Sequence, residues 1–118
     1  MNEPYSVRVL DEEILSNFWS HTSKLSIAYT RRDGREEILT REVNDHGHGA
    51  AVLPIDPARG TVLLVRQLRI AAAVAGHAGP LLEACAGLLD GDSPMVCALK
   101  EGREELGYAL RNLREICS

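Results

Sequence analysis

One stretch of this sequence carries its own punctuation for a helix, and the rest of the chain must be arranged around it. Ser93 is a favoured N-cap residue, Pro94 suits the first helical position, and Gly107 can take the left-handed conformation that closes a helix. Together they predict a helix from about residue 94 to about residue 106. Met95, Ala98, Leu99, Gly102 and Leu106 follow the i, i+3, i+4, i+7 spacing and predict its core face. The segments before it read as short strands. "YSVRVLDEEIL", "KLSIAYT" and "REEILTREV" come first, with Asp33-Gly34 as a hairpin signal between the last two. A second hairpin is predicted where "PARG" separates "AAVLPID" from "TVLLVRQLRI", followed by a loop in "AAAVAGHAGP" and a strand in "LLEACAG". "RNLREICS" predicts the start of one more strand. Strands followed by one helix imply an α+β fold, with the helix packed on a mixed or antiparallel sheet. The run "TVLLV" predicts a strand buried on both faces. A single helix covers only one face, so a partner chain or a further segment is expected on the other.

The length, 118 residues, suits a single domain, and 45% apolar with 25% charged residues is the composition of an ordinary globular chain. A net charge of −4 offers no general attraction to nucleic acid or an anionic membrane, and no window is apolar enough to span one. "MNEPYSVRVLDEE" has no basic start followed by an apolar stretch, so a cytoplasmic location is expected. The three cysteines, Cys85, Cys97 and Cys117, form no C-x-x-C pair and predict buried free thiols.

The helix also carries "KEGREELGY", in which Glu101, Glu104 and Glu105 stand at i, i+3 and i+4. Carboxylates near a helix C-terminus oppose the macrodipole. They can be a solvated surface balanced by Lys100 and Arg103, or hard oxygen ligands awaiting a cation such as Mg²⁺. His46 and His48 in "HGHG" have metal-like spacing but no further ligands nearby, and read as a polar turn. Cys97 reads as packing, with no base to activate it.

The whole segment "AGLLDGDSPMVCALKEGREELGY" resembles the Nudix box, G-x5-E-x7-R-E-U-x-E-E-x-G-U, where U is a bulky aliphatic residue. Gly87 corresponds to the opening glycine, Glu101 to the first helix glutamate, Glu104 and Glu105 to the pair, and Gly107-Tyr108 to the close. The segment departs from the pattern too. The distance from Gly87 to Glu101 is one residue short, Asp92 or Ser93 stands where a loop glutamate belongs, and Lys100 replaces the arginine. Gly102 replaces the aliphatic residue, which predicts a slackened helix packing. With "TREV", "GHGA" and "VRQLRIA" upstream, the chain looks similar to the GDP-mannose pyrophosphatase branch, near the ADP-ribose pyrophosphatases.

That resemblance implies a single, partial Nudix domain over 1–118, with an N-terminal hairpin region of about 1–45 and the box at 87–108. It implies Mg²⁺-dependent hydrolysis of a nucleoside diphosphate sugar, of GDP-mannose or ADP-ribose type, to a nucleoside monophosphate and a sugar 1-phosphate. Mn²⁺ is an alternative metal. Implied catalytic residues are Glu101, Glu104 and Glu105, with Glu101, Glu105 and the Ala86 carbonyl as metal ligands. Implied substrate contacts are Arg69, with Arg66 as a weaker second, and Ala86, Gly87 and Leu88. Family members of this branch form homodimers that bring N-terminal residues to the partner's site, which points here to Trp19, Thr40, Arg41 and Glu42. They also continue past the box through strands, a further glutamate and a second helix, so a truncated chain is expected. The alternative is an impaired Nudix domain that binds nucleotides or serves as a dimeric interaction module. No nucleic-acid or membrane partner is implied.

Overall fold

The computed structural model describes residues 6–118, which fall into two compact units, one ending at Gly47 and the other spanning His48–Ser118. The first unit is an antiparallel meander of β1 (Ser6–Asn17), β2 (His21–Thr30) and β3 (Glu36–Asp45) in that order. The predicted hairpin is present. Gly34 sits at φ 83°, and the Asp33 carboxylate accepts hydrogen bonds from the Arg35 backbone N–H at 3.1 Å and from its Nε at 2.8 Å. Partners directly opposite share a face, so Val7↔Tyr29, Val9↔Ile27 and Ile27↔Leu39 gather apolar residues on one side of the sheet, where Glu12 and Arg41, both opposite Leu25, also lie. The register shift between Val9 and Asp11 keeps Ile14 on that side, opposite Ser23, which in turn pairs with Val43, and a second shift follows between Ile14 and Ser16. The other side carries charge, including Arg8 paired with Glu36 at 3.4 Å and Lys24 paired with Glu13.

The second unit contains three two-stranded antiparallel ladders and two helices. β4 (Gly49–Val52) pairs with β9 (Cys85–Leu88), β5 (Ile55–Asp56) with β6 (Thr61–Val62), and β7 (Val65–Gln67) with β8 (Leu81–Glu83). α1 is Ile70–Val74 and α2 is Pro94–Glu101, and α2 packs on β4 and β9. The α+β architecture expected from the sequence is the one observed.

Several local expectations are corrected. The run "TVLLV" is no strand buried on both faces. It is divided between β6 and the start of β7, which pair with different partners, and Val62 and Leu64 stay exposed. Part of the "AAAVAGHAGP" loop is α1, because alanine favours the helix until Gly76, at φ 92°, turns the chain away. "RNLREICS" forms no strand, and Asn112 at φ 56° interrupts its extended path. The core face of α2 is also shifted. Cys97, Ala98 and Gly102 are buried, whereas Met95 and Leu99 are exposed at 46% and 37%. Cys85 and Cys97 are the buried free thiols predicted, but Cys117 is exposed.

Candidate active site

The helix begins as its punctuation predicts. Ser93 Oγ accepts from the Val96 N–H at 3.3 Å, Pro94 opens the first turn, and Gly107 closes the helix at φ 73°. Its last turn differs. Residues Gly102–Leu106 form a π turn, and the Tyr108 N–H reaches back to the Gly102 carbonyl at 3.2 Å. A reason lies in Gly102 itself, which is buried against Leu110. A Cβ there would stand 2.6 Å from Leu110 Cδ1, so the missing side chain leaves a notch that a leucine from the following segment fills. The slackened packing expected from this glycine is therefore replaced by a close contact.

This turn separates the three glutamates. Glu101 and Glu105 are half-buried, while Glu104 is exposed. Glu101 lies across β9 at Gly87, where any Cβ would overlap its carboxylate and would stand 2.7 Å from its Cγ. Only glycine leaves that space. Burial raises the pKa of Glu101, and the neighbouring charges of Glu105 and Glu104 raise it further. Glu105 Oε1 accepts a hydrogen bond from Gln67 Nε2 at 2.7 Å, its other oxygen, Oε2, is buried with no partner at hydrogen-bond distance, and the Cys85 thiol lies close enough to interact with the carboxylate. Beneath them the Cys85 thiol is pushed up to about 11, first by burial and then by Glu105. Cys97 Sγ points at the carbonyls of Gly87 and Leu88 at 3.5 and 3.4 Å, consistent with a packing role.

Ala86, Gly87 and Leu88 lie on β9, opposite Ala51, Ala50 and Gly49 of β4. Arg69 precedes α1 and is gripped by Glu83 of β8, with Nε and Nη2 donating at 2.6 to 3.0 Å. Its pKa is raised first by Glu83 and, from further off, by Glu105, so Arg69 stands within electrostatic reach of the glutamate pair. Arg66 points to the exposed side of β7. Lys100, which sequence reasoning set against the glutamates, instead pairs with Asp92 at 2.7 Å.

The remaining candidates belong to the N-terminal unit. Trp19, 71% exposed in the β1–β2 turn, has its ring 5.6 Å from that of His46. On β3, Thr40 and Glu42 share one face of the sheet and Arg41 takes the other, as alternation requires. Arg41 Nη1 donates to the Thr40 carbonyl at 2.7 Å. His48 gives only its backbone carbonyl, to the Leu89 N–H at 2.9 Å. Among the described residues no group of three or more His, Cys, Asp or Glu side chains is assembled for a metal, and no helix is long and apolar enough to cross a membrane. Gln67 and Glu83 were missed by sequence reasoning. Strand alternation could have turned Gln67 inward, but nothing local names Glu105 as its partner.

Comparison with known proteins identifies the family. Residues 6–43 match the family described as the GDP-mannose pyrophosphatase NudK N-terminal domain, and residues 45–118 match the NUDIX domain. A GDP-mannose pyrophosphatase of Klebsiella pneumoniae is 43% identical over 112 residues, covering 94% of this chain and 57% of the relative. One of Salmonella choleraesuis is 42% identical, covering 94% and 59%, and one of Escherichia coli K12 is 40% identical, covering 93% and 58%. The chain thus spans somewhat more than half the length of these relatives. The match to the NUDIX domain over residues 45–118, more than half of the chain, shows that the chain belongs to the Nudix family.

Proposed function

We propose that this chain serves the hydrolysis of a nucleoside diphosphate sugar of the GDP-mannose type at its pyrophosphate. Water would attack one phosphorus, the bridging P–O bond would break, and a nucleoside monophosphate and a sugar 1-phosphate would leave. The observation that carries the reading is the buried, unpartnered Oε2 of Glu105 beside the half-buried Glu101. Buried carboxylate oxygens are normally satisfied, and two carboxylates fit Mg²⁺, which binds through one or two carboxylates and substrate phosphates while keeping waters. Mn²⁺ would suit the same oxygens. When bound, the metal supplies charge neutralisation at the pyrophosphate and a more acidic water.

The protein's own contribution is placement. Glu101 and Glu105 would hold the metal with the Ala86 carbonyl, Glu104 would take a solvent-side role, and Gly87 and Leu88 would line the approach. Arg69 would leave Glu83 to fork onto the diphosphate, a geometry guanidinium suits. Relatives named as GDP-mannose pyrophosphatases support this substrate class over ADP-ribose. The proposal includes a single Nudix domain over 1–118, formed from the region of about 1–45 and the box at 87–108. It also includes a homodimer in which Trp19, Thr40, Arg41 and Glu42 meet substrate.

The exposed position of Glu104 favours a second reading, an impaired domain that binds a nucleotide without turning it over. Incubation with GDP-mannose and ADP-ribose, with and without Mg²⁺, beside Glu105→Gln separates the two. Metal-dependent release of a sugar 1-phosphate that the variant loses supports the enzyme. Binding of the nucleotide sugar without turnover supports the second reading.

A further inference from the structure

Oε1 of Glu105 is held by a residue 38 positions earlier in the chain, while Oε2 is buried with no partner at hydrogen-bond distance. Val65 and Gln67 are the half-buried positions of β7, and Arg66 between them faces outward. Backbone pairing of Gln67 with Leu81 fixes the strand, so the amide arrives at Glu105 from a rigid element. An ionised carboxylate only accepts hydrogen bonds, so the amide NH₂ of Gln67 is the group that faces it. The bond is short, at 2.7 Å, and part-buried. A neutral donor is also the one kind that can orient a carboxylate without a competing positive charge beside the incoming cation.

From this arrangement we infer that Gln67 is a positioning residue: by occupying Oε1 of Glu105 it fixes the carboxylate so that Oε2 alone is presented to a divalent metal. The inference rests on the metal reading of Glu101 and Glu105 given above. It also assigns two tasks to one short segment, because Gln67 orients the metal carboxylate and Arg69, two residues on, supplies the cation held by Glu83. Outer hydrogen-bond partners of metal ligands change affinity by about 10–100-fold when removed.

The test is Mn²⁺ titration of the 118-residue chain, with free ion followed by electron paramagnetic resonance, for the parent, Gln67→Met, Glu105→Gln and the double variant. Methionine keeps the length and flexibility of glutamine and loses the donor. The expected result is a Kd raised about 10–100-fold in Gln67→Met with its metal-free unfolding midpoint unchanged. In the Glu105→Gln background the same substitution should have no further effect, which a merely structural role would not produce. Loss of binding in Glu105→Gln with parental affinity in Gln67→Met would overturn the role of Gln67 alone. Parental affinity in Glu105→Gln, or no Mn²⁺ bound by the parent, would overturn the metal reading beneath it.

Discussion

Arg69 and Glu83 show how a single ion pair can belong both to stability and to the site. Three donor contacts of 2.6 to 3.0 Å join them, and Arg69 holds the Glu83 carboxyl below its ordinary value. A carboxyl whose native pKa is lowered gives stability in full above its unfolded value and loses it as pH falls through the native one. The stabilisation is thus complete above pH 4.5, the ordinary value for glutamate, and fades below it. Glu83→Gln should therefore unfold at lower temperature than the parent at pH 7, and the two curves should converge in acid. Arg69 is half exposed and Glu83 only partly covered, so the gap should be small and should shrink with added salt. A scan of unfolding midpoint against pH at two salt concentrations checks this, and parallel curves at every pH would contradict it. Arg69 was singled out in "RQLR" through the family resemblance, and its forked guanidinium suits a diphosphate. Glu83 was not, because a strand and helix fold it back onto Arg69 and no spacing rule links residues 14 apart.

The closing turn of the box helix presents the same contrast at the scale of an element. Ser93, Pro94 and Gly107 announce its ends correctly, because caps act on backbone groups within a few residues. The π turn between them was invisible, because it depends on Leu110, which enters the notch at Gly102 from beyond the helix. For the same reason the sequence misjudged which side is buried. Helical spacing identifies a stripe, but the neighbour that covers it decides whether Cys97 or Met95 goes inside. Gly102→Ala measures the notch. Alanine gains up to about 1 kcal/mol of helix propensity, whereas overpacking costs typically ~1–3 kcal/mol. A net destabilisation of about 1 kcal/mol is expected from urea unfolding. In a Leu110→Ala background the clash is gone, so the same substitution should become neutral or stabilising. Stabilisation in the parent would mean that Leu110 does not occupy the notch.

At the scale of the molecule, the N-terminal sheet leaves large apolar side chains uncovered. Val7, Val9 and Ile14 lie on its apolar side at 62%, 56% and 60% exposure, beside Val43 at 43%. The sequence revealed the three strands, but not that a bulge in β1 would keep these side chains on one face, since plain alternation breaks at Leu10. Glu12 and Arg41 share this face between Val9 and Ile14, and exposed apolar side chains with charged ones among them suit an interaction site. A second copy of the chain is the partner proposed, and a self-complementary two-fold contact lets the same valines and isoleucines meet their own counterparts. Val9→Lys with Ile14→Lys tests it, because both sites are already solvated in the single chain and surface changes usually alter stability by no more than about 0.5 kcal/mol. Each lysine would place a charge opposite apolar surface in the pair and leave it unpaired there. Sedimentation at micromolar concentration should therefore show a dimer for the parent and a monomer for the variant, with unchanged circular dichroism. An identical dimer in the variant would place the contact elsewhere, and a monomeric parent would remove the need for one.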